Sequence, residues 1–131
     1  MRVLIDTHIF LWFISDRAKL PNQVLELLES SGSTVDISVA NLWEISIKTA
    51  QGKLSVDGGF AAVQTDLENA AIQILPISFE HLLTDSSLPF HHRDPFDRMI
   101  ASQALVEKID LVSVDDVFDL YFAGSEVKRI W

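Results

Sequence analysis

The sequence predicts an α/β fold, a three-layer α/β/α arrangement around a mostly parallel central sheet of about five strands. Three observations predict it. Short apolar runs of the kind buried on both faces of a parallel sheet recur along the chain. Segments with helical character separate them, giving the order β-α-α-β-α-α-β-α-α-β-α-β, which calls for helices on both faces of the sheet. No repeat, low-complexity tract or linker interrupts the series, so residues 1–131 read as one domain.

The first strand is Val3-Leu4-Ile5, ending in Asp6-Thr7, either of which can cap the very apolar helix that continues from His8 to Ile14. Pro21 stands at a first-turn position, and Val24, Leu25, Leu27 and Leu28 carry a helix that ends near Gly32. Thr34 to Ser38 is the second strand. Val39 to Gln51 is a helix with Gly52 as its stop. Gly58-Gly59 turns the chain into a helix that runs to about Ala70. Ile72 to Ile77 is the third strand, and Pro76 suggests a sheet edge. A short helix covers Phe79 to Leu83, and Pro89 to Pro95 is loop. Phe96 to Lys108 is amphipathic, with Met99, Ile100, Ala104 and Leu105 on one side. Leu111 to Val114 is the fourth strand, Asp115 to Tyr121 is helical, and Val127 to Trp131 is the last strand.

Composition narrows the chemistry. The 131 residues include no cysteine, which excludes disulfides and cysteine-ligated zinc or iron–sulfur centres. Hydrophobic residues make up 48%, enough for a core without staples. No apolar run approaches the ~20 residues of a membrane span, and the start of the chain lacks the pattern of a signal peptide. The expectation is a cytoplasmic protein without a membrane partner. The net charge is −9, an awkward value for an enzyme that approaches phosphate backbones. The negative charge can be concentrated in a pocket and neutralised by metal ions, or can serve a basic protein partner.

Four acids stand out by placement. Asp6 lies at the carboxyl end of the first strand, the edge where open α/β sheets bind ligands. Asp115 occupies the same kind of corner after the fourth strand. Glu44 lies on the helix that follows the second strand, and Asp97 lies in the first turn of the helix opened by Asp94-Pro95. Each has a plainer explanation. Asp6, Asp94 and Asp115 can cap helices. Glu44 can pair with Lys48 four residues on, or with Asn41 in a capping-box-like start. Together they are more specific, because like charges gathered at one sheet edge are costly unless a cation neutralises them. Oxygen ligands suit magnesium, with manganese as a substitute. Carboxylates with such a cation favour phosphoryl chemistry, using one metal or two about 3.5–4 Å apart.

At these residues the chain resembles a PIN domain, and specifically the VapC toxins of bacterial type II toxin–antitoxin systems. The matching blocks are Arg2-Val-Leu-Ile-Asp-Thr-His8, Ser38-Val-Ala-Asn-Leu-Trp-Glu-Ile-Ser-Ile-Lys48 with Gly52-Lys53-Leu54, His92-Arg-Asp-Pro-Phe-Asp-Arg-Met-Ile-Ala-Ser-Gln-Ala104, and Leu111-Val-Ser-Val-Asp115 with Phe118. They run in order across nearly the whole chain. The resemblance implies a single PIN-like domain and a Mg2+-dependent endoribonuclease held inactive by a cognate, VapB-like antitoxin that is basic or DNA-binding. It also implies a homodimer. By position, Asp6, Glu44, Asp97 and Asp115 match the family acids as catalytic residues and metal ligands. Thr7 and Ser113 match hydroxyl residues that line the pocket, and Asp94 matches an extra acid. Ser102 and Ser113 stand where alanine or threonine is common, and neither change removes a ligand.

Several other features bear on substrate and partner. Arg93 and Arg98 flank Asp94 and Asp97 and are candidates for phosphate contact, or for neutralising those acids. His91 and His92 could contact phosphate or position RNA near the metal, but read slightly more readily as a polar loop. Phe10 to Phe13 offers more apolar surface than one core face needs, which suits a dimer or an antitoxin helix. Trp43 is expected to be buried beside Ile47. Three rivals to the ribonuclease remain: a nuclease of the same fold acting on DNA or structured flaps, a non-catalytic interaction module, and a phosphotransferase using Asp6 as nucleophile. The last usually wants a lysine or second acid soon after the strand, and the first lysine here is Lys19.

Overall fold

A computed structural model describes residues 1–131. Five strands form one sheet in the order β3-β2-β1-β4-β5, and every pairing is parallel. They are β1 (Arg2–Ile5), β2 (Thr34–Ser38), β3 (Ile72–Leu75), β4 (Asp110–Val112) and β5 (Arg129–Ile130). Seven helices connect them: α1 (Thr7–Ser15), α2 (Asn22–Glu29), α3 (Val39–Ala50), α4 (Ala62–Asn69), α5 (Phe79–Ser87), α6 (Pro95–Glu107) and α7 (Phe118–Phe122).

The alternation of side chains along the strands divides the core into two faces. In β1, Val3 and Ile5 face a cluster that includes Ile9, Phe10 and Phe13 of α1 and Leu42 and Ile45 of α3. Leu4 between them faces the opposite cluster, with Ile100, Ala101 and Ala104 of α6 and Phe118 and Phe122 of α7. All three strand residues are fully buried, as the apolar run predicts for a central parallel strand. Register pairs Ile5 with Ile37 of β2 on one side and with Val112 of β4 on the other.

This topology decides where a site can form. From β1 the chain steps one way to β2 and β3, and then returns to the other side of β1 for β4 and β5. The reversal opens a crevice at the carboxyl ends of β1 and β4, where their following loops part in opposite directions. Asp6 follows β1 directly, and Ser113 to Asp115 follow β4. Away from this crevice, buried Asp36 of β2 receives hydrogen bonds on Oδ2 from Arg2 Nε and Nη2 at 2.9 and 2.7 Å.

Most predicted elements appear, and several details differ. Helix α5 runs to Ser87, one turn past Leu83, because the Arg98 guanidinium reaches the carbonyls at its end and gives them donors. Strand β3 stops at Leu75, before Pro76, and is an edge strand. Helix α7 begins at Phe118, three residues after Asp115, whose side chain forms a turn by accepting from the Val117 N–H at 3.0 Å. Trp43 is not buried beside Ile47. It is 61% exposed and meets Phe96 edge to face with ring centroids 5.6 Å apart, because α3 turns its Leu42 and Ile45 side inward. Nor does α1 leave a large apolar surplus: Phe10 and Phe13 are buried, and Trp12 is half-covered against Trp131. The large exposed apolar side chains lie elsewhere, Phe79, Leu83 and Phe90 among them. No helix is long and apolar enough to cross a membrane.

Candidate active site

A cleft of about 290 Å³ opens at the crevice between the ends of β1 and β4. Asp6, Glu44, Asp94, Asp97 and Asp115 all line it, and Lys48 is the only lysine or arginine in its wall. The four acids expected to act together, and the fifth expected to support them, therefore meet in one place. They arrive from two strand–helix junctions, the second turn of α3 and the start of α6, which is why sequence distance conceals their proximity.

Each acid is placed by a local structural device. Asp6 is the N-cap of α1, with Oδ1 accepting from the Thr7 N–H at 2.6 Å and Oδ2 accepting from Ser113 Oγ at 2.8 Å. The Ser113 bond ties β1 to β4 across the crevice. Ser113 Oγ in turn accepts from the Asp115 N–H at 3.1 Å, so one hydroxyl positions two acids. Asp94 caps α6, accepting from Phe96 N–H at 2.8 Å, with Pro95 at the first helical position. Asp97 follows in the first turn. The cap explanation for Asp94 and the site placement of Asp97 are both real features of one helix start.

Glu44 is buried on α3, and both of its oxygens have donors. Oε1 accepts from Thr7 Oγ1 at 2.6 Å, and Oε2 accepts from Lys48 Nζ at 2.8 Å. The ion pair that offered a plain explanation of Glu44 is present, and it lies inside the cleft wall. Asn41 does not join Glu44 in a capping box. Ser38 is the N-cap of α3, accepting from the Ala40 N–H at 3.0 Å. Asn41 is fully buried and donates from Nδ2 to Thr7 Oγ1 at 2.8 Å, extending the chain of donors toward Glu44.

The crowding of negative charge shows in the protonation equilibria. Burial first, and then the nearby Asp6, Asp94, Glu44 and Asp115, push the Asp97 carboxyl up to about 8. Burial also raises the Asp6 carboxyl, against the hydrogen bonds from Ser113 and Thr7. The Glu44 carboxylate holds the Lys48 ammonium above its ordinary value. Two acids that resist ionisation in this way mark a place where a cation would be stabilised. The donors are hard oxygens, the set that suits a divalent magnesium-like ion.

Sequence reasoning leaned toward a polar loop for His92, whereas the structure sets it against the acids. Its Nε2 lies 2.9 Å from Asp97 Oδ2 and 3.1 Å from Asp115 Oδ2, and these three residues can bring ligand atoms within 4.8 Å of one another. Asp6 and Glu44 line the same cleft outside that triad. The signal was weak because His92 sits in a loop with no periodicity. Arg98 corrects a different expectation. It is buried, and its guanidinium donates to the carbonyls of Pro89, Asp85 and Leu88 at 2.9, 2.9 and 3.3 Å and lies over the Phe90 ring. It is a structural brace with no face left for a phosphate. Arg93 is exposed beside the cleft's helix start.

Comparison with known proteins agrees with this architecture. Residues 3–121 match the PIN domain family. Among solved structures, VapBC2 from Rickettsia felis bound to a promoter DNA fragment is similar at 21% identity and a TM-score of 0.70, over 98% of each chain. DNA-bound VapBC from Salmonella typhimurium is similar at 17% identity and a TM-score of 0.71, again over 98% of each. VapBC-5 from Mycobacterium tuberculosis shares 20% identity at a TM-score of 0.61, over 98% of this chain and 97% of that one. The search of curated proteins gives no match. With the family match spanning nearly the whole chain and the acids gathered at the crevice, the chain belongs to the PIN domain family.

Proposed function

We propose that this chain is a Mg2+-dependent endoribonuclease, the VapC-type toxin of a toxin–antitoxin pair. The observation that carries the reading is the cleft at the sheet's switch point, where five carboxylates share one lysine. Asp6, Glu44, Asp97 and Asp115 would hold the metal, with Mn2+ able to substitute. The bound ion supplies an activated water and neutralises charge on the scissile phosphate. The protein's own contribution is placement. Ser113 fixes Asp6 and Asp115, Thr7 fixes Glu44, and the α6 cap fixes Asp94 beside Asp97. Lys48 offsets part of the negative charge that would repel an approaching phosphate. Arg93, exposed at the helix start, is the candidate phosphate contact.

The partner follows from the same charge. A chain of net charge −9 with an acidic cleft fits a basic segment of a cognate antitoxin, and solved relatives of this fold occur as VapBC complexes, two of them with DNA. A homodimer and a cytoplasmic location go with this reading.

Sequencing of RNA ends after brief expression of wild type and Asp97→Asn tests it. The reading expects one recurrent set of ends in wild type only. Ends unchanged by the substitution would remove the catalytic role of the cleft, and cuts confined to DNA would move the chain to a DNA-directed nuclease of the same fold.

A further inference from the structure

We propose that His8 and Trp12 form a stacking seat for unpaired bases of the RNA as it leaves the cleft past α1, with Lys19 taking a phosphate beside them. The inference deepens the ribonuclease reading above and rests on it. His8 lines the cleft two residues after Asp6 and is exposed. Its ring lies 5.8 Å from that of Trp12, centroid to centroid, tilted by 47°. The two are four residues apart on α1, the spacing that stands one side chain beside the next on the same flank of a helix. Beyond Trp12 the Trp131 ring follows at 6.0 Å, and Lys19 Nζ lies 5.8 Å from the Trp12 ring centroid. A row of aromatic rings therefore starts in the cleft and leads out of it along α1, with a cation beside its second ring.

The charge of the chain limits what this row can bind and how. The net charge is −9, and five carboxylates face one lysine in the cleft. Phosphate contacts alone hold an RNA strand poorly in such a field. Stacking of bases on aromatic rings needs no positive charge and tolerates any base, because every base has a π-face. The ring-to-ring steps are wider than the ~3.4 Å rise of stacked bases. Bases lying on these rings are splayed from one another, which an unpaired strand allows and a duplex does not. Lys19 is 58% exposed, and its pairing with Asp16 at 3.8 Å is a loose surface contact, so its ammonium is open to a phosphate.

The seat is held before any strand arrives. Trp12 is half-buried, with Trp131 on its far side, and the Trp131 carbonyl accepts from Gln23 Nε2 at 3.2 Å. Ile9, Phe10 and Phe13 bury the other side of α1 in the core, and the Asp6 cap fixes its start at the cleft. Rings ordered in this way lose little freedom on binding. An aromatic pair at this spacing also supports the helix that carries it. That role affects melting, whereas stacking affects the part of RNA affinity that depends on bases.

Fluorescence polarisation with short labelled RNAs tests this on the full chain carrying Asp97→Asn, so that binding is read without cutting. Two probes are compared in Mg2+: a single-stranded oligoadenylate, and a ribose-phosphate chain of equal length without bases. Trp12→Ala and His8→Ala should each weaken oligoadenylate binding by about tenfold and leave the abasic chain unchanged. Trp12→Phe should recover most of the loss. Lys19→Met should weaken both probes and lower the salt slope by about one. Equal losses on the two probes overturn the proposal, because they report fold or charge and not stacking. Oligoadenylate affinity unchanged in both ring variants also overturns it, and returns the rings to helix support or to a protein partner. If wild-type RNA cleavage persists in that case, this inference falls alone. Failure of the parent chain to bind either probe defeats the RNA reading with it. A base-dependent loss in a chain whose wild type cuts no RNA keeps the seat and defeats the ribonuclease reading.

Discussion

Thr7 Oγ1 donates a 2.6 Å hydrogen bond to Glu44 Oε1, joining residues 37 apart in sequence inside the cleft. The same hydroxyl accepts from buried Asn41 Nδ2 at 2.8 Å, so it relays between α3's interior and its acid. Thr7→Val keeps the shape and removes both bonds. It leaves a buried amide and a buried carboxylate oxygen without their partner, at a cost of about 1–3 kcal/mol. Denaturant unfolding should show that loss, and Mn2+ titration should show weaker binding as Glu44 loses its placement. Thr7→Ser should restore both. Stability and affinity equal to wild type in Thr7→Val would show that the hydroxyl does not position Glu44.

The raised Asp97 carboxyl predicts a pH dependence of definite sign. Its ordinary value is 3.8 and its native value about 8, raised by burial and then by the neighbouring acids. Between those values the native chain keeps a proton that the unfolded chain has released. Stability without metal therefore falls as pH rises from about 4 to about 8, as linkage requires when the native state binds more protons. A divalent cation must displace that proton. Its affinity should rise with pH up to about 8 and level off above. Calorimetry of Mn2+ binding at pH 7 in buffers of different ionisation enthalpy reads the released proton directly. Heats independent of the buffer would contradict the assignment.

Arg98 and Arg93 should separate cleanly. Arg98→Ala strips donors from three carbonyls at the end of α5 and in the following loop, and should cost about 3 kcal/mol in thermal or denaturant unfolding. Arg98→Lys should fall between, because an ammonium cannot reproduce the guanidinium fork. Neither should change the salt dependence of RNA binding by the folded protein. Arg93→Ala should leave stability near wild type and lower the salt slope by about one. A stable Arg98→Ala chain with a reduced slope would return Arg98 to the substrate.

Much of the fold was legible because its signals are local. The Val3-Leu4-Ile5 run, the Asp94-Pro95 helix start and the Gly52 stop each specify backbone from neighbouring residues, and each stands where the pattern puts it. Asp6, Asp97 and Asp115 were legible as strand-end and helix-start residues and Glu44 as a residue of the helix after β2, and the block-by-block resemblance selected them from many acids. What the sequence could not show depends on which face a helix turns and which loop a side chain crosses. Trp43 reads as core by hydrophobicity, yet α3 buries the side carrying Leu42 and Ile45. Arg98 reads as a phosphate contact by proximity to Asp97, yet one helical position points it at the end of α5. His92 meets its acids only through a loop whose path no periodicity encodes.

In the function proposed above, the acids at the carboxyl edge of β1 and β4 would hold a divalent cation used in cleaving RNA. The most direct measurement is the rate at which purified protein cuts a single-stranded RNA, with matched DNA alongside, in Mg2+ and in chelator, for wild type and Asp97→Asn. The account predicts RNA cleavage by wild type in Mg2+, none in chelator, and a loss of about a hundredfold or more in Asp97→Asn, whose fold is checked by its melting curve. Equal RNA cleavage by the two folded proteins, or cleavage that persists in chelator, would contradict it.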